Sequence, residues 1–102
     1  AIPAELIASF KQMGEAAEKI ARKTGSVIAS RDTQVALEVE SDDDEMDKLH
    51  RQLIRTLVDP SWKYGVESAI DLTLLGRYYE RYADHAVSVS RRVYYLVTGK
   101  FA

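Results

Sequence analysis

Apolar residues recur along the chain at helical spacing. Leu6, Phe10, Met13, Ala17, Ile20, Thr24 and Val27 follow one another at alternating steps of four and three, which puts them on one side of an α-helix. Ile7, Ala21 and Ile28 widen that side. Pro3 suits the first helical turn, where its missing N–H has no partner to lose, so a first helix is expected over about 3–29. Gly14 and Gly25 each weaken it by up to about 1 kcal/mol relative to Ala, so packing must hold it. It ends at Ser30-Arg31-Asp32, where Asp32 is placed to cap a second helix.

The second stripe reads Val35, Val39, Met46, Leu49, Leu53 and Leu57, and Pro60 closes it. This predicts a helix over about 32–58. Ser41, with Asp44 three residues on, is a second capping signal, so a break there is the alternative. Asp59-Pro60-Ser61-Trp62-Lys63-Tyr64-Gly65 is a loop, and Trp62 is expected to cap the end of the bundle. A third stripe, Val66, Ile70, Leu74, Tyr78, Tyr82, Ala86, Val89, Val93 and Leu96, predicts a helix over about 65–98 with Gly99 just past its end. On this reading Tyr78 and Tyr82 are core, whereas Tyr79, Tyr94 and Tyr95 lie off the stripe. Three long amphipathic helices with short connections define an all-α, antiparallel up-down-up three-helix bundle.

Charge changes this picture locally more than globally. The 14 basic and 16 acidic residues nearly cancel, which argues against a nucleic-acid binder. No run of 18 apolar residues exists to insert in a membrane, and without cysteine there are no disulfides or thiolate metal sites, in keeping with a reducing cytoplasm. The start at Ala1 rather than Met is expected of a piece of a longer protein. Between Glu38 and Asp47, however, seven of ten residues are acidic, and the last third is rich in Arg and Tyr.

Two helix faces collect the chemistry. On the third helix Thr73, Arg77, Glu80, Asp84, Ser88 and Arg91 share a side, with Arg81 and His85 one step around. On the second, Asp43 and Asp47 stand four apart and His50 follows a turn later. Like charges four apart oppose a helix by about 0.2–0.5 kcal/mol per pair. A cation bound by hard carboxylate oxygens would relieve that cost; the other reading is a solvated acidic face, with Glu80 paired to Arg77 or Arg81. A ferritin-like di-iron site needs two acid-x-x-His pairs. Asp47-x-x-His50 is one, but three residues after Glu80 comes Ala83.

The third helix also carries a longer motif. Gly76-Arg77-Tyr78-Tyr79-Glu80-Arg81-Tyr82-Ala83-Asp84-His85-Ala86, closing with Val93-Tyr94-Tyr95-Leu96-Val97-Thr98-Gly99, resembles the PhoU family, whose signature there is E-R-x-x-D-H-A. Asp43-x-x-x-Asp47-x-Leu49 resembles its recurrent acid-x-x-x-acid repeat, and Ser30-Arg31-Asp32 falls at its first helix–helix turn. The resemblance implies one of two tandem three-helix repeats, the C-terminal one. It implies a cytoplasmic regulator that links a phosphate-specific ABC transporter ATPase to a sensor histidine kinase and reaches the membrane only through partners. It further implies an iron or other divalent metal cluster on Asp43, Asp47, Glu80 and Asp84, with Arg77, Arg81 and His85 as the supporting polar face. One departure bears on the cluster: Ser88 and Arg91 stand where the family favours Asn and an acid, and Arg91 would repel metal at that end.

A regulatory binding module is thus the leading expectation, with no nucleophile–base constellation or Gly-rich phosphate loop in the sequence. A carboxylate-bridged metalloenzyme and a structural bundle that forms a homodimer through a Tyr-rich surface are the alternatives.

Overall fold

The computed structural model describes residues 4–100; Pro3 lies outside them. Three helices run through the described residues: α1 (Ala4–Ser30), α2 (Thr33–Val58) and α3 (Val66–Thr98). They pack side by side into a rod of 50 × 19 × 16 Å, the length that α3 alone spans at about 1.5 Å per residue. α2 continues through Ser41 without a break, so the four-helix alternative falls away.

The ends of the helices follow local chemistry. Asp32 caps α2: its Oδ1 accepts the backbone N–H groups of Gln34 (2.9 Å) and Val35 (3.2 Å). Loss of such a cap costs about 1 kcal/mol, so Asp32→Ala is expected to lower the urea midpoint with the slope of the transition unchanged. Arg31, just before it, holds φ at 56° while its N–H closes on the Val27 carbonyl at 2.7 Å. In the loop, Asp59 Oδ1 accepts both the N–H and the hydroxyl of Ser61, at 2.8 and 2.6 Å, and these bonds hold its carboxyl below the usual range. Trp62 donates Nε1–H to the Gly65 carbonyl at 2.8 Å and lies partly buried against the core, as a lid on that end. At the far end Gly99 takes the left-handed conformation (φ 73°) and its N–H reaches the Tyr95 carbonyl.

Along α1 and α2 the core follows the expected stripes, except that Val35 and Leu49 are only half-buried. Leu6, Phe10, Met13, Ala17, Ile20, Thr24 and Val27 are all buried, and so are Val39, Met46, Leu53 and Leu57. The buried Thr24 hydroxyl donates to the Ala86 carbonyl of α3 at 3.3 Å, which settles its polar group. Ile7 and Ile28, by contrast, are more than half exposed; they sit at the edge of the stripe, not within it.

α3 corrects the sequence reading. Its buried residues are Leu72, Gly76, Ala83, Val87 and Ser90, with Tyr79 packed against the core. Val66, Ile70, Leu74, Tyr78, Tyr82 and Leu96 are exposed, Tyr78 by 64% and Leu74 by 61%. The cause is geometric. Steps of four advance about 40° beyond a full turn, so a period-four row winds around the helix, whereas a bundle seam alternates threes and fours. The true seam places a glycine where α2 passes close by: a Cβ on Gly76 would lie 2.5 Å from Leu53 Cδ2.

Candidate metal centre on α2 and α3

The acidic run of α2 is split between two neighbours. Toward α1, the buried Asp42 pairs with Lys19 (3.2 Å) and Lys23 (3.0 Å), and Lys23 also reaches Glu38 at 3.1 Å. The Asp42 contact is the main cause of an upward shift in the Lys23 amine. Those acids are neutralised. Toward α3 the run meets a different set of groups.

Along the α2–α3 groove the contacts form a ladder. At one end Glu40 receives a two-point contact from Arg91, Nε to Oε1 at 2.5 Å and the terminal nitrogen to Oε2 at 2.8 Å. The carboxylate holds the guanidinium proton more firmly than usual. In the middle Asp43 and Asp47 of α2 meet Asp84 of α3, each offering an oxygen within 4.8 Å of the others. At the other end His50 Nδ1 contacts Glu80 Oε2 at 2.9 Å, while His50 Nε2 is buried beside Gly76 with no hydrogen-bond partner. Donation from Nδ1–H fits this surrounding, because a proton on Nε2 would be buried unpaired.

The middle rung is electrostatically costly. Asp43 Oδ1 is buried and has no hydrogen-bond partner. Burial, followed by the negative charges of Asp47 and Asp84, pushes the Asp43 carboxyl up to about 6; Arg91 opposes this and Glu40 adds to it. An unpartnered buried oxygen among three carboxylates is chemically suited to a hard divalent cation, whose charge would offset their repulsion. The donor set is oxygen only, which fits magnesium, manganese, calcium or iron(II) and not a thiolate-seeking metal.

Of the residues expected from the sequence, the structure thus brings Asp43, Asp47 and Asp84 together. It places Glu80 beside them but on His50. It does not pair Glu80 with Arg77 or Arg81; those two arginines and His85 are exposed. The Glu40–Arg91 and His50–Glu80 rungs escaped sequence reasoning. Spacing places Glu40 and His50 on the α2 face of Asp43 and Asp47, three residues before and after them, but not their partners on α3.

The arrangement defines a class first, a helical bundle with an uncompensated carboxylate cluster between two helices. The family follows from comparison. A family profile described as "PhoU domain" matches residues 10–93, and the chain belongs to that family. It is 46% identical to the phosphate-specific transport system accessory protein PhoU homolog 1 of Mycobacterium leprae, over 98% of this chain and 45% of that protein. It is also 46% identical to PhoU homolog 2 of Mycobacterium tuberculosis, over 99% of this chain and 47% of that protein. A PhoU homolog of Zymomonas mobilis matches at 32% identity over 86% of the chain. The chain spans about half the length of the mycobacterial relatives it matches. No solved structure matches it. No helix among the described residues is long and apolar enough to cross a membrane.

Proposed function

We propose that this chain is a non-catalytic regulatory module of phosphate uptake and phosphate-starvation signalling, linking a phosphate-specific ABC transporter ATPase to a sensor histidine kinase on the cytoplasmic side of the membrane. Its relatives are named as accessory proteins of phosphate-specific transport, which supports the reading. The single structural observation behind it is the trio Asp43, Asp47 and Asp84, three carboxylates from two helices with one buried, unpaired oxygen.

On this proposal Asp43, Asp47 and Asp84 hold a divalent cation, iron(II) among the candidates, and α2 and α3 are tied together by it. A bound ion supplies positive charge that replaces mutual repulsion with attraction. Glu80 stands one turn from Asp84 and joins the set only by giving up His50. Arg91 holds its own cation at the Glu40 end, which favours one ion over a larger cluster. A unit charge several ångströms away in a half-solvated groove is worth about 1 kcal/mol. Arg91→Ala is therefore expected to tighten manganese binding roughly five- to tenfold in titration calorimetry.

Elemental analysis of protein purified without chelator tests the site, beside a variant carrying Asp43→Asn, Asp47→Asn, Glu80→Gln and Asp84→Asn. Stoichiometric metal in the parent alone supports it; none in either, even after reconstitution with iron or manganese, removes it. The regulatory reading is tested separately. It requires binding to the transporter ATPase or the kinase cytoplasmic domain, and phosphate-responsive expression that changes when the whole protein is deleted. If both are missing, that reading is wrong.

A further inference from the structure

The His50–Glu80 rung is built differently from the Arg91–Glu40 rung at the other end of the ladder. Arg91 has 54% of its side chain open to solvent and trades its contact for water easily. His50 and Glu80 keep only 16% and 22%. His50 Nδ1 meets Glu80 Oε2 at 2.9 Å, and the other ring nitrogen is buried without a partner. Glu80 has no second ion-pair partner among the described residues. The rung also lies where α2 and α3 pass close together, with the His50 ring 3.5 Å from where a Cβ on Gly76 would stand.

By position, the same carboxylate belongs to the acidic trio. Glu80 and Asp84 are four apart on α3, which sets their Cβ atoms about 5–6 Å apart. Glu80 has one more methylene than Asp84 with which to reach along the groove. Yet it stands outside the group in which Asp43, Asp47 and Asp84 each offer an oxygen within 4.8 Å of the others. One carboxylate thus faces two claims, an imidazole N–H on one side and a site for positive charge on the other. The two oxygens of a carboxylate move together, so turning toward the trio takes Glu80 away from His50.

We infer that His50 is the latch of the cation site, an inference that rests on the reading of Asp43, Asp47 and Asp84 as that site. By holding Glu80, the imidazole withholds a fourth carboxylate and sets the affinity below what four acids would give. Release of Glu80 leaves both ring nitrogens of His50 unpaired in a part-buried place, which moves the ring from its seat beside Gly76. Occupancy of the site is therefore felt at the contact between α2 and α3, one turn away from the ion.

Manganese titration calorimetry on the 102-residue chain and three variants tests this as a cycle, with circular dichroism to check folding. His50→Leu removes the donor and keeps an apolar side chain against Gly76. It is expected to tighten manganese binding about tenfold, the factor by which one hydrogen bond to a charged group holds back the competent state. In the Glu80→Gln background the same change should have no effect, because no carboxylate is left to release. Magnesium gives a second reading with no residue altered. The chain has two histidines, and His85 is exposed. At saturation with magnesium the NMR signals of the His50 ring should shift while those of His85 stay, and in Glu80→Gln the His50 shift should be far smaller. Unchanged affinity in His50→Leu overturns the latch, and so does equal tightening in both backgrounds or a His50 ring that stays put at saturation. Weaker binding in His50→Leu overturns it too, by making His50 a partner that orients a bound Glu80. Each of these outcomes leaves the cation site standing. No binding of either metal by any of the four proteins removes the site itself, and the latch with it.

Discussion

Gly76→Val is expected to destabilise the bundle by about 3 kcal/mol, the largest single-residue effect outside the deep apolar core. Space decides this. The Cβ position of residue 76 lies 2.5 Å from Leu53 Cδ2 and 3.5 Å from the His50 ring, and Leu53 is only 1% exposed. Leu53 therefore cannot swing into solvent; it must leave its rotamer or push α2 and α3 apart, and such overpacking costs about 1–3 kcal/mol. Valine adds bulk at the contact and brings little helix propensity in return. Gly76→Ala should cost less, because alanine recovers up to about 1 kcal/mol of helix propensity. At about 4–8 °C per kcal/mol for a chain of this size, Gly76→Val is expected to lower Tm by roughly 12–24 °C. Leu53→Ala alone should cost about 2–5 kcal/mol by leaving a cavity. Combined with Gly76→Val the losses should fall well short of their sum, since one change vacates the space the other needs. Strict additivity in thermal unfolding would show that the two residues do not share that space.

The same close approach explains how the sequence misled at α3. The eye follows large apolar residues, and on α1 and α2 these do face inward, from Leu6 to Val27 and from Val39 to Leu57. On α3 the inward positions include Gly76, Ala83 and Ser90, small or polar residues that carry little signal on any hydrophobic scale. The large ones, Leu74, Tyr78 and Tyr82, point out. Tyr79, which the stripe excluded, is the tyrosine that packs on the core. Helix existence and bounds were legible because capping and breaking residues mark them: Asp32, Pro60 and Gly99 all sit where the backbone changes. Which side of α3 faces the core was not, because it depends on how near α2 comes.

The grouping of acids at the candidate site was legible in part. Asp43 and Asp47 stand out because acid four residues from acid gains nothing from the helix itself, and Asp84 falls on the facing side of α3. The division of labour within the acidic run was hidden. Asp42 and Asp43 are neighbours in sequence, yet one turns to two lysines of α1 and the other to two further aspartates. Only the 100° between successive residues separates a neutralised acid from a buried, unpaired one. The His50–Glu80 rung was hidden for another reason: it depends on the register of α2 against α3, which neither helix encodes alone.

Replacing the strained acid is expected to make the metal-free protein more stable and the metal-loaded protein less so. The Asp43 carboxyl, ordinarily at 3.8, is raised to about 6 in the fold by burial and by Asp47 and Asp84. Between those values the native state binds more protons than the unfolded chain. Stability must then fall as pH rises from about 4 to about 6, and stay lowered above that. At about 1.4 kcal/mol per unit the full shift sets an upper bound near 3 kcal/mol, and partial solvent exposure reduces the expected effect to about 1–2 kcal/mol. Asp43→Asn keeps the shape and removes the charge. In urea unfolding at pH 7 with EDTA, the variant should be about 1–2 kcal/mol more stable than the parent; near pH 4 the two should converge. An excess of manganese should invert the order. A ligand at a hundredfold above its Kd adds about 2.7 kcal/mol to whichever form binds it, and only the parent keeps the anionic carboxylate. A variant less stable than the parent in EDTA would mean that Asp43 holds the fold together through contacts of its own. A gain in EDTA with no inversion in manganese would leave the repulsion real and the cation reading wrong, and the acids would then serve as a charged surface for a basic partner.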